Sequence, residues 1–153
     1  MYTLTLVIHS LLRWLVVAFG LIAFARGLVG WLGAKPWTTT DNRLSAVFVI
    51  SLDVQMLLGL LLYAALSPLT TMGFQNMAAA MQNSIVRFFL VEHLVMMIVA
   101  IGLAHVGRAK AKRADDPTAK HRLEAIFFGL AVALILYAIP WAMDAASRGQ
   151  VAL

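Results

Sequence analysis

Four long apolar stretches alternate with three more polar connections along the chain. The apolar stretches cover about residues 4–24, 44–66, 84–106 and 123–143. Each is close to the ~20 residues that an α-helix needs to cross the hydrocarbon layer of a membrane. Lipid cannot satisfy exposed backbone groups, so helices are the expected structure. The pattern predicts an all-α, integral membrane four-helix bundle that forms a single membrane domain of residues 1–153.

Composition agrees with this prediction. The chain is 62% hydrophobic and 12% charged, whereas a soluble domain is roughly half apolar and about a quarter charged. It has no cysteine, which excludes disulfides, thiolate metal sites and covalent haem attachment through C-x-x-C-H. No basic segment precedes the first apolar stretch and Arg13 interrupts it, so we interpret it as a permanent span and not as a cleaved signal peptide.

The connections differ in charge. Residues 25–43 and 107–122 are rich in Lys and Arg, and residues 67–83 carry no charge. Basic connections stay in the cytoplasm, so both termini are expected on the non-cytoplasmic side of a bacterial cytoplasmic (inner) membrane, crossed several times. The net charge of +5 then reflects orientation and not nucleic-acid binding. Trp31, Trp37 and Trp141 are expected to anchor the two interfaces. Residues 67–83 could form a short surface helix or an ordered cap; the pattern leaves both open.

Charged and imidazole side chains inside the membrane are costly and are therefore candidate functional residues. They are His9, Arg13, Asp53, Arg87, Glu92 and His93. His9 and His93 lie on different spans at similar depth in the outer leaflet, where they could ligate one metal centre from opposite sides. Arg13, four residues after His9 on the same helix face, has Asp53 and Glu92 as candidate partners in a buried ion pair or a proton site.

Two histidines without further ligands suit haem b better than zinc, which usually has four ligands. Gly20, Gly59 and Gly102 could make room for the plate, and Arg87 could bind a propionate. The alternative is that both histidines only pack helices through hydrogen bonds. His105 is expected to reach the cytoplasmic interface, and His121 to lie in a loop without special context. The fourth span, without an ionisable residue between Ala125 and Met143, is expected to be plain packing.

Five segments stand out along the chain: H-S-L-L-R-W (His9–Trp14), D-N-R-L (Asp41–Leu44), Q-M-L-L-G-L-L-L-Y (Gln55–Tyr63), R-F-F-L-V-E-H (Arg87–His93) and A-I-P-W (Ala138–Trp141). Together they resemble a family of small four-helix bacterial membrane proteins commonly labelled cytochrome b-like. The resemblance covers nearly the full length, in order. It implies a haem b electron-transfer role, loosely similar to cytochrome b561-type bundles.

One position departs from that resemblance. The family pattern often has His where this chain has Asp53, a residue of the cytoplasmic half that His105 could partner across two helices. The replacement implies that a second haem, if the family holds one there, is lost. Alternatively, that half never held haem and Asp53 pairs with Arg13. We therefore expect at most one haem, in the outer leaflet, bound by His9 and His93.

Three functions follow as hypotheses. The leading one is a membrane-embedded b-type haem protein that exchanges electrons with quinone or with a respiratory or photosynthetic partner. The second is a haem-free accessory subunit of a larger membrane complex. The third is a small proton-coupled carrier that uses Arg13, Asp53 and Glu92. The sequence also leaves a homo-oligomer open.

Overall fold

Four long helices dominate the computed structural model, which describes residues 1–141. Within that range there is no strand. In chain order the elements are α1 (Tyr2–Leu32), α2 (Thr39–Leu61) with a π-helical turn (Leu62–Leu66), α3 (Pro68–Gln75), α4 (Met77–Gln82), α5 (Ser84–Arg87), a second π-helical turn (Phe88–Glu92), α6 (His93–Arg113) and α7 (Pro117–Ala138). The predicted all-α architecture is confirmed. The four segments Tyr2–Leu32, Thr39–Leu66, Ser84–Arg113 and Pro117–Ala138 are each long and apolar enough to cross a membrane.

The helices extend further at one end of the bundle than the apolar pattern predicted. The first continues past Phe24 to Leu32, and the third continues through the basic run to Arg113. A helix satisfies its own backbone groups, so it can continue beyond the hydrocarbon layer while its polar side chains meet water. The fourth helix is shifted instead. It begins at Pro117 and ends at Ala138, and the last two residues of its predicted range, 142–143, lie outside the described residues.

Each long helix has two neighbours. The α7 helix packs along both α1 and α6, and α2 packs along α1 and meets α6 over a shorter stretch. As a result, α1 and α6 face each other across the bundle. The core centres on an edge-to-face pair of Phe48 and Phe128, with ring centroids 5.1 Å apart. Gly20 lets α1 approach this pair, because a Cβ there would lie 2.7 Å from the Phe48 ring.

The two basic connections shorten to residues 33–38 and 114–116 and share one end of the bundle. An ion pair between Arg26 and Asp41 joins α1 to α2 at this end. The uncharged connection lies at the other end, where α3 and α4 form two short helices. The Thr70 hydroxyl donates to the Tyr63 carbonyl, and Gly73 lies against the Leu90 side chain. The segment is therefore an ordered cap on that end of the bundle.

Candidate functional site

His9 and His93 face each other across the end of the bundle that α3 and α4 cap. His9 comes from α1 and His93 from the first turn of α6, and the two imidazoles lie close enough to interact electrostatically. The Arg13 guanidinium interacts with both rings and lies 5.3 Å from the centroid of the Trp14 ring. The structure thus brings together the two predicted ligands and one of the two predicted arginines.

A backbone carbonyl fixes the orientation of His93. Its Nδ1 lies 3.0 Å from the carbonyl oxygen of Ala138 on α7. Since a carbonyl oxygen only accepts, Nδ1 carries the proton and donates, and the neutral ring has its lone pair on Nε2. Histidines that ligate metals are commonly held in this way by a hydrogen bond from the other ring nitrogen. His93 is therefore oriented as a ligand would be.

His9 and the neighbouring Gln55 each have a buried polar atom without a hydrogen-bond partner in the described part of the chain. Its carbonyl accepts a hydrogen bond of 3.0 Å from Gln55 Nε2 on α2. Within the described part of the chain, His9 Nδ1 and Gln55 Oε1 are both buried without a hydrogen-bond partner. A buried polar atom left in this state costs about 1–3 kcal/mol. Two such atoms on neighbouring side chains indicate that water or a ligand completes this site.

Two π-helical turns border the site. Leu62–Leu66 follows Gly59 in α2, and Phe88–Glu92 immediately precedes His93. They are joined directly, because the Tyr63 hydroxyl donates to the Leu90 carbonyl over 3.0 Å. Such turns are often found at functional sites, since the extra residue re-aims the side chains that follow.

The three glycines expected to make room for haem have different surroundings. Gly59 borders the site, where a Cβ would lie 3.2 Å from His9 Cε1. Gly20 does not, because Phe48 and Val132 fill the space beside it. Gly102 is exposed and has no atom within 4 Å of its Cβ position. Only Gly59 thus keeps a place in the predicted site.

Glu92 pairs with Arg87, contrary to both expectations for these residues. Arg87 Nε lies 2.8 Å from Glu92 Oε1, and both side chains are nearly half exposed. Arg87 also donates to the Met81 carbonyl. The π-helical turn between them places the two side chains together on the outer surface. The predicted partner of a propionate is therefore engaged by a carboxylate, and Glu92 forms its ion pair outside the interior.

Asp53 pairs with His105 across α2 and α6. The distance from His105 Nε2 to Asp53 Oδ1 is 2.8 Å. The sequence predicted that His105 could partner the residue at position 53 across two helices in the cytoplasmic half, and the structure brings these two residues together. The candidate partners predicted for Arg13 are Asp53 and Glu92, and each of these acids forms an ion pair with another base. The predicted three-residue cluster is thus divided between separate places in the bundle.

His121 is buried on α7, so the prediction of a loop residue is wrong. Only 2% of it is exposed. Its ring packs on Trp37, with centroids 4.8 Å apart, and its Nε2 lies 3.4 Å from the Pro36 carbonyl. Gly30 of α1 leaves the space that the ring occupies. Trp37 therefore packs against a buried histidine at the basic end of the bundle.

A buried polar network nearby was also missed. The side chain of Glu124 is buried beside the Ser45 hydroxyl and interacts electrostatically with Arg108. Arg108 Nη1 donates to Ser45 Oγ over 2.7 Å and to the Asn42 carbonyl. The fourth helix is therefore not plain packing: it contributes a buried carboxyl and a buried imidazole at the basic end of the bundle.

The site fits a haem in its donor set. It offers two facing imidazoles, one oriented through Nδ1, together with an unpartnered buried nitrogen and an adjacent glycine. In residues 1–141, no group of three or more His, Asp or Glu side chains converges to hold a metal ion. The candidate centre is thus a two-histidine one.

Comparison of the chain with protein-family models, with curated proteins and with solved structures gave no match. The resemblance to cytochrome b-like proteins therefore stays a prediction, and function has to be argued from the site.

Proposed function

We propose that the chain is a membrane-embedded b-type haem protein that transfers electrons, with His9 and His93 as the axial ligands of one haem b. The observation that carries the proposal is the meeting of these two imidazoles from opposite helices. Side chains on facing helices are the usual way in which a bundle holds a cofactor in its core. When bound, the haem would supply one reversible one-electron redox centre.

The protein groups around the centre have separate tasks. The Ala138 carbonyl holds the His93 ring and keeps its Nε2 unprotonated. Arg13, which interacts with both imidazoles, would offset the negative charge of a propionate. Arg87 is less suited to that task because Glu92 engages it. The aromatic ring of buried Phe88, 5.8 Å from the His93 ring, limits water beside the ligand.

The site lies near one face of the membrane in the proposed topology. The basic end of the bundle faces the cytoplasm of a bacterial inner membrane, and both chain termini face the opposite side. One haem near the outer face would exchange electrons with quinone or with a partner on that side. It would not by itself carry electrons across the bilayer.

Topology can be tested independently of haem, because the chain has no cysteine. Single cysteines at Ala114 and Asn76 would report the two ends. In intact cells, a membrane-impermeant maleimide should label the cysteine at position 76 and not the one at 114. The opposite pattern would reverse the orientation, and release of the chain by alkaline carbonate would overturn membrane insertion.

The direct functional test is a reduced-minus-oxidised spectrum of the protein purified after expression with ample haem. We expect b-type bands and about one haem per chain. A colourless protein that co-purifies in fixed ratio with other membrane subunits would instead support the second candidate, a haem-free accessory subunit. One observation favours that candidate: the Asp53–His105 pair is about half exposed on the outside of the bundle. The third candidate, a proton-coupled carrier, has less support, because Asp53 and Glu92 belong to separate ion pairs.

A further inference from the structure

The ion pair of Asp53 and His105 lies on the outer surface of the bundle, within two membrane-length helices. Its side chains are 45% and 51% exposed. Asp53 is ~14 Å past Leu44, where its apolar stretch begins, at 1.5 Å per residue, and His105 lies at the cytoplasmic end of the stretch of residues 84–106. Asp53 is therefore placed inside the segment that the proposed topology puts in lipid, and His105 pairs with it from the cytoplasmic end.

Such a pair is costly when it faces hydrocarbon. Ionisable residues in membrane helices almost always face a bundle interior or a water-filled cavity. Two other acids, Asp41 and Glu124, are only 3% exposed, whereas the half-exposed Arg87–Glu92 pair lies near the capped end of the bundle. The exposed faces of Asp53 and His105 therefore need a cover that the single chain does not supply.

The surface around the pair suits close contact with another helix. Gly102 lies one turn before His105 on α6 and has no atom within 4 Å of its Cβ position. Four further exposed residues near Gly102 on this side of α6 are apolar: Val95, Ile98, Val99 and Val106. Small residues let membrane helices approach closely, and polar groups then hydrogen-bond between them. We call the surface formed by Asp53, Gly102 and His105 the α2–α6 face.

We propose that the α2–α6 face is the interface of a homodimer, with a second copy of the chain as its occupant. Two copies inserted in the same orientation are related by a two-fold axis along the membrane normal, which brings residues of equal depth together. The face carries one acid and one base at the same depth, so it is complementary to itself. This inference rests on the proposed membrane topology and is independent of haem.

The hydrogen-bonding groups of Asp53 and His105 can also find partners within a dimer. A His105 ring with a proton on both nitrogens would have two N–H donors, and a carboxylate has two acceptor oxygens. Nε2 of His105 donates to Oδ1 of Asp53 in its own chain. Nδ1 of the same ring can then donate to the Asp53 carboxylate of the second copy, and the reverse contact follows by symmetry. With both rings in that form, two copies would satisfy each other without a third component, and the net charge of the four groups would be zero.

Cross-linking in native membranes tests this interface, since a single introduced cysteine has no other thiol in the chain to react with. Gly102→Cys should form a disulfide-linked dimer under mild oxidation, because the residue lies next to the proposed axis. Leu130→Cys on α7 is the matched control. It is 53% exposed and ~20 Å from Pro117, a depth close to the ~17 Å between Gly102 and Arg113. It should cross-link at least tenfold less.

A second measurement needs no cysteine. Native mass spectrometry of the unmodified protein should give twice the 16.7 kDa chain mass, and His105→Ala should shift the population to monomer. Equal cross-linking at positions 102 and 130, or a monomeric mass for the unmodified protein, would overturn the homodimer. So would a different subunit bound in fixed ratio on this face. None of these outcomes alters the haem spectrum, so failure of the dimer and failure of the proposed function are distinguishable.

Discussion

Gly30 and His121 are in direct contact across α1 and α7. A Cβ added to Gly30 would lie 2.3 Å from His121 Nδ1, a separation that no real pair of such atoms adopts. The His121 ring has little room to move, because it is buried against Trp37. Close packing of α1 and α7 at the basic end therefore depends on the absence of a side chain at residue 30.

The first prediction concerns this contact. Gly30→Ala should destabilise the folded chain by about 1–3 kcal/mol, since an extra methyl in a packed interior forces neighbouring groups to shift. Thermal unfolding in lipid nanodiscs measures the effect. Leu32→Ala, at a residue that is 74% exposed on the same helix end, should leave the midpoint nearly unchanged. Equal unfolding midpoints for the two variants would show that the His121 ring moves aside without cost and would contradict this prediction.

The second prediction concerns the start of α2. Thr38 and Asp41 form a reciprocal capping box, and Asp41 also accepts two hydrogen bonds from Arg26. Asp41→Ala removes the cap and the carboxylate that pairs with the half-exposed Arg26 side chain, so we expect a loss of about 1–2 kcal/mol, mainly from the cap. Chemical unfolding of the purified protein is the measurement. Asp115→Ala, at an exposed acid in the connection before α7, is the control and should be neutral.

The third prediction concerns the buried network around Ser45. Ser45→Ala removes the hydroxyl that accepts from Arg108 and lies beside Glu124, without adding volume to this buried site. The variant should be less stable by about 1–3 kcal/mol, because buried polar groups lose their partner. Ser51→Ala is the comparison, since the Ser51 hydroxyl only bonds to the Phe48 carbonyl in its own helix. A Ser45→Ala protein as stable as the Ser51→Ala protein would contradict the account of the network.

The fourth prediction links the π-helical turns to the site. Tyr63→Phe removes the hydrogen bond to the Leu90 carbonyl, which steadies the turn before His93. One hydrogen bond contributes about 1 kcal/mol, so the haem should dissociate up to about tenfold faster. Haem transfer to an acceptor protein measures that rate. Tyr137→Phe, at a residue that is 78% exposed, should leave it unchanged.

The apolar pattern predicted the number of long helices because a membrane-length run is a strong signal. Their ends were harder to predict. Asp116 and Pro117 are a favourable N-cap and first helical residue, and Asp116 does cap α7. A helix predicted to begin at Pro117 would place His121 and Glu124 on the same helix face as Phe128. In the structure this face of α7 is buried.

The pairings were less predictable than the positions. Depth along each helix placed His9 and His93 in one layer, and the structure brings them together. Depth could not say which way the side chains of Asp53 and Glu92 turn, since that depends on helix rotation and on the π-helical turn before α6. A π-helical turn has no sequence signature of the kind that a Gly or Pro break has. The Arg87–Glu92 pair was therefore not predicted.

The central claim is that His9 and His93 hold one haem. The most direct test is haem content per chain, measured from the reduced-minus-oxidised spectrum of the unmodified protein, His93→Ala and His105→Ala. All three must be folded, which a circular dichroism spectrum can verify. We predict about one haem in the unmodified protein, none in His93→Ala, and about one in His105→Ala, whose imidazole pairs with Asp53 away from the site. A folded unmodified protein without haem, or a b-type spectrum that persists in His93→Ala, would contradict the account.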